Sequence, residues 1–292
     1  MMTNPIKLFL IYLIFSSLYF TQIYGQKEER SLLYKISGNG LSQPSYLYGT
    51  IHIICKGDFV MTEATKQKFL EVQQVYLELD MDDPKMMPEM MKSMYMTDGS
   101  TLKILMSEAD YQKVSQFFKD SLKTDIGMMD KMKPFVLSSM TIPKLIDCPS
   151  QSYEETFVKM AKKENKEILG LETVQEQFGA LDKMGMKKQA DLMLVKMIQS
   201  WNEGKQELKQ LIKDYKNQDV EAMYEDMAKS KTMDTQFEED LLVTRNINWI
   251  SKIQKITKEK STFFALGAGH LGGKKGVIAL LRNAGFTVRA VK

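Results

Sequence analysis

Apolar, β-prone positions broken by a polar Gly/Asn/Pro turn mark the start of the exportable chain. The stretch "SLLYKISGNGLSQPSYLYGTIH" (31–52) reads as strand, turn, strand. Its second strand, Ser45 to Tyr48, runs straight into Gly49-Thr50-Ile51-His52. The spacing then becomes helical over Thr62 to Val72, with Thr62 as the cap, and returns to a short β-rich run, "QVYLELDM" (Gln74 to Met81). From Asp82 to about Leu145 the text is Met- and Lys-rich with helical periodicity, interrupted near Pro84, Pro88, Gly99, Gly127 and Pro134. Glu154 to Lys163 predicts a helix, and "KEILGLE" (Lys166 to Glu172) a strand with Glu172 at its C-terminal end. A long helical region follows from about Val174 to Lys258, with breaks expected near Gly185, Gly204 and Lys216-Asn217. Within it "VTRNINWISKIQKI" carries Ile247, Ile250, Ile253 and Ile256 at intervals of three, an amphipathic stripe. Last come a strand feeding a glycine loop, "STFFALGAGH", a helix ended by Gly285, and a terminal strand, "FTVRAV". Strands open and close the chain around a helical middle.

The first 25 residues stand apart from this pattern. Lys7 precedes the apolar run Leu8 to Phe20, about 13 residues, and Gly25 offers a cleavage point, which reads as an export signal. An uncleaved anchor is the alternative, and through it alone would the chain meet a membrane. The remainder, 26–292, is expected to form one domain with a helical insertion at about 82–145. Export changes the meaning of the two cysteines, Cys55 and Cys148, because an oxidising compartment permits a disulfide. Two unrelated buried thiols, or Cys55 as a metal ligand three residues after His52, are the other readings.

Charge adds an exclusion. The formal +3 comes from 40 basic and 37 acidic residues that are interspersed, and no basic cluster is interleaved with aromatics, so nucleic acid is not an expected partner. The Met-rich stripe reads as flexible packing. The acidic "DMDDPK" lacks the spacing of a calcium loop.

Only two histidines occur, and both close the same phrase: "YLYGTIH" ends in His52 and "FFALGAGH" in His270, each a β-prone run followed by Gly-x-x-His. With 17 glycines in 292 residues, a glycine three places before each histidine arises by chance on the order of 0.3 % of the time. A glycine at a strand end lets the backbone turn sharply and lets a ligand approach, and the histidine is then held at the sheet rim, where open α/β sheets bind ligands. Two imidazoles there would hold a divalent metal or act as acid and base. The carboxylates placed alike are Glu78 in "YLELD" and Glu172 in "LGLET", costly in apolar strands unless paired or bound to a metal. Strand alternation offers Glu78 a plainer place, on an exposed face with Tyr76 and Asp80. Arg245 in "TRNINW" could orient a carboxylate or clamp an anion, or make a surface salt bridge. No G-x-S-x-G elbow or P-loop is present, and "GAGHLGG" lies too near the end of the chain to open a dinucleotide domain.

Taken together, "SYLYGTIH", "VYLELDM", "EILGLETVQEQFGAL", "TRNINWISKI" and "FFALGAGHLGGKKGVIALLRNAGFTV" resemble the TraB/GumN family, which is related to the Tiki metalloproteases and more distantly to erythromycin esterase and the haem-binding ChaN proteins. The resemblance implies an α/β fold. Its central mixed sheet would be built from N- and C-terminal strand-rich halves, flanked by helices, with a helical insertion between them. By motif position, the family's site residues fall on His52, Glu78, Arg245 and His270, with Glu172 beside them. The activity implied is that of an exported metal-dependent hydrolase acting on a peptide or protein substrate. In it His52 and His270 would bind the ion, Glu78 would be ligand or general base, and Arg245 would steady an oxyanion or a substrate carboxylate. Zinc, manganese and cobalt all suit this donor set. A non-catalytic envelope protein that sequesters haem or peptides with the same histidines is the alternative. A chain with a vestigial site acting through its helical surface is a third.

Overall fold

The computed structural model describes residues 30–230 and 235–292, so the expected export signal lies outside the described residues. Six strands form the central sheet: β1 (Leu33–Gly38), β2 (Ser45–Thr50), β4 (Gln74–Leu77), β6 (Glu167–Gly170), β7 (Thr262–Gly267) and β8 (Phe286–Ala290). Their order is β6-β4-β7-β2-β1-β8. Neighbours from β6 to β2 pair in parallel, while β1 is antiparallel to both β2 and β8. The sheet is therefore the mixed one expected, and β7, from the end of the chain, lies between β2 and β4, from its beginning.

Burial follows from these positions. In central β7, Thr262 to Leu266 are all buried, as befits a strand covered on both faces. Edge strand β8 alternates instead, with Phe286 and Val288 inward and Thr287 and Arg289 outward. The helices covering the sheet are α1 (Glu63–Glu71), α4 (Tyr153–Lys163), α8 (Thr244–Glu259) and α9 (Val277–Asn283). Thr62 and Ser152 cap α1 and α4 by accepting from the Thr65 and Glu155 amides. A stack of Phe69, Phe157, Phe263 and Tyr48 fills the space between α1, α4 and the sheet. Among the described residues no helix is long and apolar enough to cross a membrane.

The Met-rich insertion includes α2 (Met86–Ser93) and α3 (Glu108–Leu122). It builds a core of its own, in which Leu102, Val114, Phe118, Ile126 and Leu137 pack on Ala190 and Leu194. Helix α5 (Val174–Asp182) opens with a capping box between Thr173 and Glu176. Beyond it lie α6 (Trp201–Lys216) and α7 (Val220–Lys229).

Three expectations are corrected. The isoleucine stripe is not the buried face of α8. Steps of three walk steadily around a helix with 3.6 residues per turn, so Ile247 ends 52 % exposed, while the four-spaced row Arg245, Trp249, Ile253 and Thr257 is buried. No break occurs at Gly204, which sits inside α6; the chain interrupts instead at Ser200. Strands β4 and β6 end at Leu77 and Gly170, so Glu78 and Glu172 lie just past the strands and Glu78 is not on an exposed face.

Cys55 and Cys148 are joined in a disulfide that closes 93 residues of chain. It lies beside the two-residue ladder of β3 (Ile54–Cys55) with β5 (Ser150–Gln151). Restricting the unfolded chain over such a loop contributes about 2–4 kcal/mol. Urea denaturation of the reduced protein is expected to give an unfolding free energy lower by about that amount; an unchanged midpoint would mean that the ladder holds without the bond.

Candidate active site

The parallel strands β6, β4, β7 and β2 all point one way, so their carboxyl ends share a rim, and each delivers one residue to it. Glu172 follows β6, Glu78 follows β4, His270 follows β7 and His52 follows β2. Ligands bind at this edge of open α/β sheets because strand ends leave backbone and side chains free there.

The two motif glycines do not turn the chain in the manner expected, since neither has a positive φ. Each permits close approach. A methyl group on Gly49 would stand 3.1 Å from both the Ala268 Cβ and Leu271, so this glycine lets the two Gly-x-x-His segments pack together. A methyl group on Gly267 would stand 3.1 Å from Glu78 Oε1, 3.6 Å from His270 Cδ2 and 3.8 Å from His52 Cε1. Three side chains from three strands thus face one point above Gly267, whose N–H donates to Glu78 Oε1 at 2.8 Å.

Arg245 enters from the first turn of α8, immediately after the π-helical segment Glu239–Val243. Its Nε donates to both oxygens of Glu172 at 3.1 Å, and Nη2 to Glu172 Oε1 at 2.6 Å and Glu78 Oε2 at 2.7 Å. Nη1 donates to the Leu241 carbonyl at 2.9 Å and to His270 Nε2 at 3.1 Å. All five N–H groups are committed. Gln177 Nε2 bridges the two carboxylates, and Trp249 Nε1 donates to Glu172 Oε2. Trp249 also packs its ring on His270, with centroids 4.6 Å apart, and beneath the guanidinium.

Asn246 decides the tautomer of His270. Its Nδ2 donates to the carbonyls of His270 and Lys275, which can only accept, so Oδ1 must face the imidazole. His270 Nδ1–H then donates to it at 2.7 Å, and Nε2 carries the lone pair that Arg245 meets. Burial strips the proton from His270 against the pull of Glu78, and its pKa falls to about 3. His52 is the contrast. Its Nδ1 lies 2.9 Å from Glu154 Oε1, and its side chain is 70 % exposed. Desolvation opposes its proton, but the Glu154 hydrogen bond and charge outweigh it and raise the pKa, while solvent at the exposed ring screens the pair.

Burial pushes the Glu78 carboxyl up, yet the Arg245 and His52 charges and the Gly267 N–H outweigh it and hold the carboxyl below the usual range. Burial and the Glu78 charge push Glu172 up in spite of Arg245. Its neighbours Arg245, Gln177 and Trp249 all donate, which favours the ionised form against that burial.

His52, Glu78, Glu172, Arg245 and His270 thus share one rim. Sequence reasoning missed Glu154, Asn246, Gln177 and Trp249. The signal within reach was Asn246 and Trp249 beside Arg245 in "TRNINW"; nothing in the text around Glu154 distinguishes it from other helix-start acids. Each imidazole has its Nδ1 held by an acceptor, the usual way a metal-binding nitrogen is oriented, but His270 Nε2 already meets an Arg245 N–H, which would have to withdraw before that nitrogen could hold an ion. Among the described residues no group of three His, Cys, Asp or Glu side chains is placed to hold a metal ion; Arg245 lies against two of the candidate donors instead.

A parallel rim carrying paired Gly-x-x-His motifs and a buried Glu-Arg-Glu cluster defines an α/β protein with a polar site at its strand ends. The chain belongs to the TraB/PrgY/gumN family, whose model matches residues 32–290. Among curated proteins it is similar to Metalloprotease TIKI2 of Xenopus tropicalis, 22 % identical over 300 residues, covering 84 % of this chain and 57 % of that protein. Metalloprotease TIKI1 of Danio rerio is 22 % identical over 299 residues, covering 84 % and 60 %. The Metalloprotease TIKI homolog of Nematostella vectensis is 22 % identical over 329 residues, covering 91 % and 68 %. The chain spans about 57 % of the length of the Xenopus relative. No solved structure matches it.

His270 ties stability to pH. Its folded pKa of about 3 lies below the ordinary value of 6.5, so its contribution is fully present above pH 6.5 and is lost as pH falls through that window. Urea denaturation of chelator-treated protein between pH 6.5 and 4 should show a loss of up to about 1.4 kcal/mol per pH unit from this group. His270→Gln should flatten that slope by about one proton; an identical slope would place the acid sensitivity elsewhere.

Proposed function

We propose that this chain is an exported, metal-dependent hydrolase of peptide bonds. The observation that carries the reading is the meeting of Glu78, His270 and His52 at one point above Gly267 on the strand-end rim. Its likeness to proteins named metalloproteases supports the reading independently. Export is supported by the Cys55–Cys148 disulfide, a bond that persists in oxidising compartments, together with the signal-like first 25 residues.

In this reading His52, His270 and Glu78 would hold the ion, and zinc, manganese and cobalt all suit them. Such an ion supplies a bound water of lowered pKa and a polarised carbonyl. The remaining roles belong to the chain. Glu78 stays ionised and fixed by the Gly267 N–H, Gln177 and Arg245, so it offers negative charge and little basicity at neutral pH. Arg245 is the internal counter-ion of Glu78 and Glu172; it would meet a substrate oxygen only by releasing His270. Substrate approaches from the His52 side, because His52 is open to solvent whereas His270, Arg245 and Glu172 are buried.

Elemental analysis of the purified protein beside the His52→Ala, His270→Ala double variant tests the ion, and peptide cleavage with and without chelator tests the chemistry. Metal should be present in the first and absent from the second, and cleavage should vanish with chelator. Cleavage that survives chelation and both substitutions would falsify the proposal. A separate expectation concerns the backbone: Gly267→Ala places a methyl 3.1 Å from Glu78 Oε1. It should weaken metal binding by about tenfold or more without altering the far-ultraviolet dichroism. Unchanged affinity would show that the point above Gly267 is not the site.

A further inference from the structure

The two histidines are held in different ways. His270 is clamped by Asn246, Arg245 and Trp249. His52 lies beyond the end of β2, on a segment belonging to no strand, and its ring is open to solvent. Among the described residues one side-chain hydrogen bond orients it, Nδ1 to Glu154 Oε1 at 2.9 Å.

Glu154 is well suited to that task because it is itself fixed. Its Oε1 accepts from Thr50 Oγ1 at 2.5 Å and its Oε2 from Ser152 Oγ at 2.9 Å, and its side chain is only 12 % exposed. A carboxylate can only accept, so it keeps a proton on Nδ1, and the ring so held brings Cε1, the carbon between the two nitrogens, to 3.8 Å from where a methyl on Gly267 would stand. The pair joins two stretches of chain about a hundred residues apart. The ties between those stretches include the ladder of β3 with β5, in register Ile54 with Gln151 and Cys55 with Ser150, the Lys56 N–H to the Pro149 carbonyl, and Tyr153, whose hydroxyl pairs with the Val60 backbone and whose ring stacks on Phe59. A two-stranded ladder this short is marginal alone. Beside it runs the disulfide, with Cys55 three residues after His52 and Cys148 six residues before Glu154.

We infer that Glu154 is a positioning residue for His52, and that the Cys55–Cys148 disulfide keeps the pair assembled, so that the redox state of one bond sets the order of the candidate site. The inference rests on the proposed function only in treating His52 as a working member of that site. A reductant has a route to the bond: Cys55 lines a cleft of about 410 Å³ between the Cys55–Asp58 segment, Leu145, Ile146 and helix α6. Reduction by a dithiol breaks the S–S bond and leaves Cys55 and Cys148 as thiols. The dithiol supplies two electrons and two protons and closes to its own disulfide.

The chain has two histidines, so long-range ¹⁵N–¹H spectra of the histidine-labelled, tag-free protein read each ring separately. Glu154→Gln and Glu154→Ala should move the His52 signals and leave those of His270 in place. Dithiothreitol, under conditions where circular dichroism stays native, should move His52 in the same direction in the parent protein and add little in Glu154→Ala. Manganese(II) titration should show about 10–100-fold weaker binding in both variants and in the reduced protein. His52 signals that ignore reduction, or that move only when those of His270 move with them, overturn the inference. If no form binds manganese, zinc or cobalt, the metal reading fails on its own, while the His52 spectrum still decides this one.

Discussion

Three of the four strand-end residues at the rim, Glu78, Glu172 and His270, depend on one buried cation. Arg245 places its guanidinium between two carboxylates that the strand ends drive out of solvent, and a carboxylate buried without a partner would not stay ionised. The arrangement links four parts of the chain: Glu78 after β4, Glu172 after β6, His270 after β7, and α8 itself. Such a cluster is weak evidence for net stability, because desolvation offsets much of the attraction, but removing one member costs about 3–5 kcal/mol by leaving the others unpaired. Its main effect is geometric. With five N–H groups all engaged, the guanidinium has one position, and the carboxylates and His270 take theirs from it.

The same packing separates the two histidines. A repeated phrase in the sequence yields one imidazole that is buried, neutral and fixed in a single tautomer, and one that is open and drawn toward its protonated form by Glu154. The asymmetry comes from strand order. β7 is central and its loop is covered by α8, whereas β2 ends farther from that helix, against α4. Equal motifs placed at unequal depths acquire unequal chemistry, and the side that remains open is the side from which a substrate can arrive.

The fold was legible wherever local pattern and global burial agree. Thr262 to Leu266 is an apolar run because β7 is covered on both faces, and Thr62 caps α1 because its side chain satisfies an amide that the helix leaves free. Reading failed where period and depth part company. The isoleucines of α8 recur every three residues, yet the helix buries a four-spaced row that begins with Arg245, a residue whose polarity hides its depth. For the site, His52 and His270 were legible because a rare residue type repeats in a rare context, and Glu78 and Glu172 because glutamate beside apolar strands demands a reason. Glu154 was not, since its partner is about a hundred residues away and a glutamate in a helix's first turn needs no special explanation. The cysteine pair was open to several readings because sequence carries no distance; the β3–β5 ladder brings the two thiols together.

Strand order also explains why the chemistry-bearing residues come from both ends of the chain. β7 is inserted between β2 and β4, so the contact of Gly267 with Glu78 spans 189 residues and that of Arg245 with Glu78 spans 167. No contiguous half of the chain contains the site. The Met-rich insertion, by contrast, fills its own core with Leu102, Phe118 and Leu137, and its Met86, Met90 and Val136 pack with Val174 and Phe178 of α5. A fold arranged in this way can vary its helical middle while the rim is held by the sheet and by Arg245. The segment leaving the insertion passes through Cys148 to Glu154 and so returns to His52, which makes the insertion's exit one place where its own order reaches the candidate site.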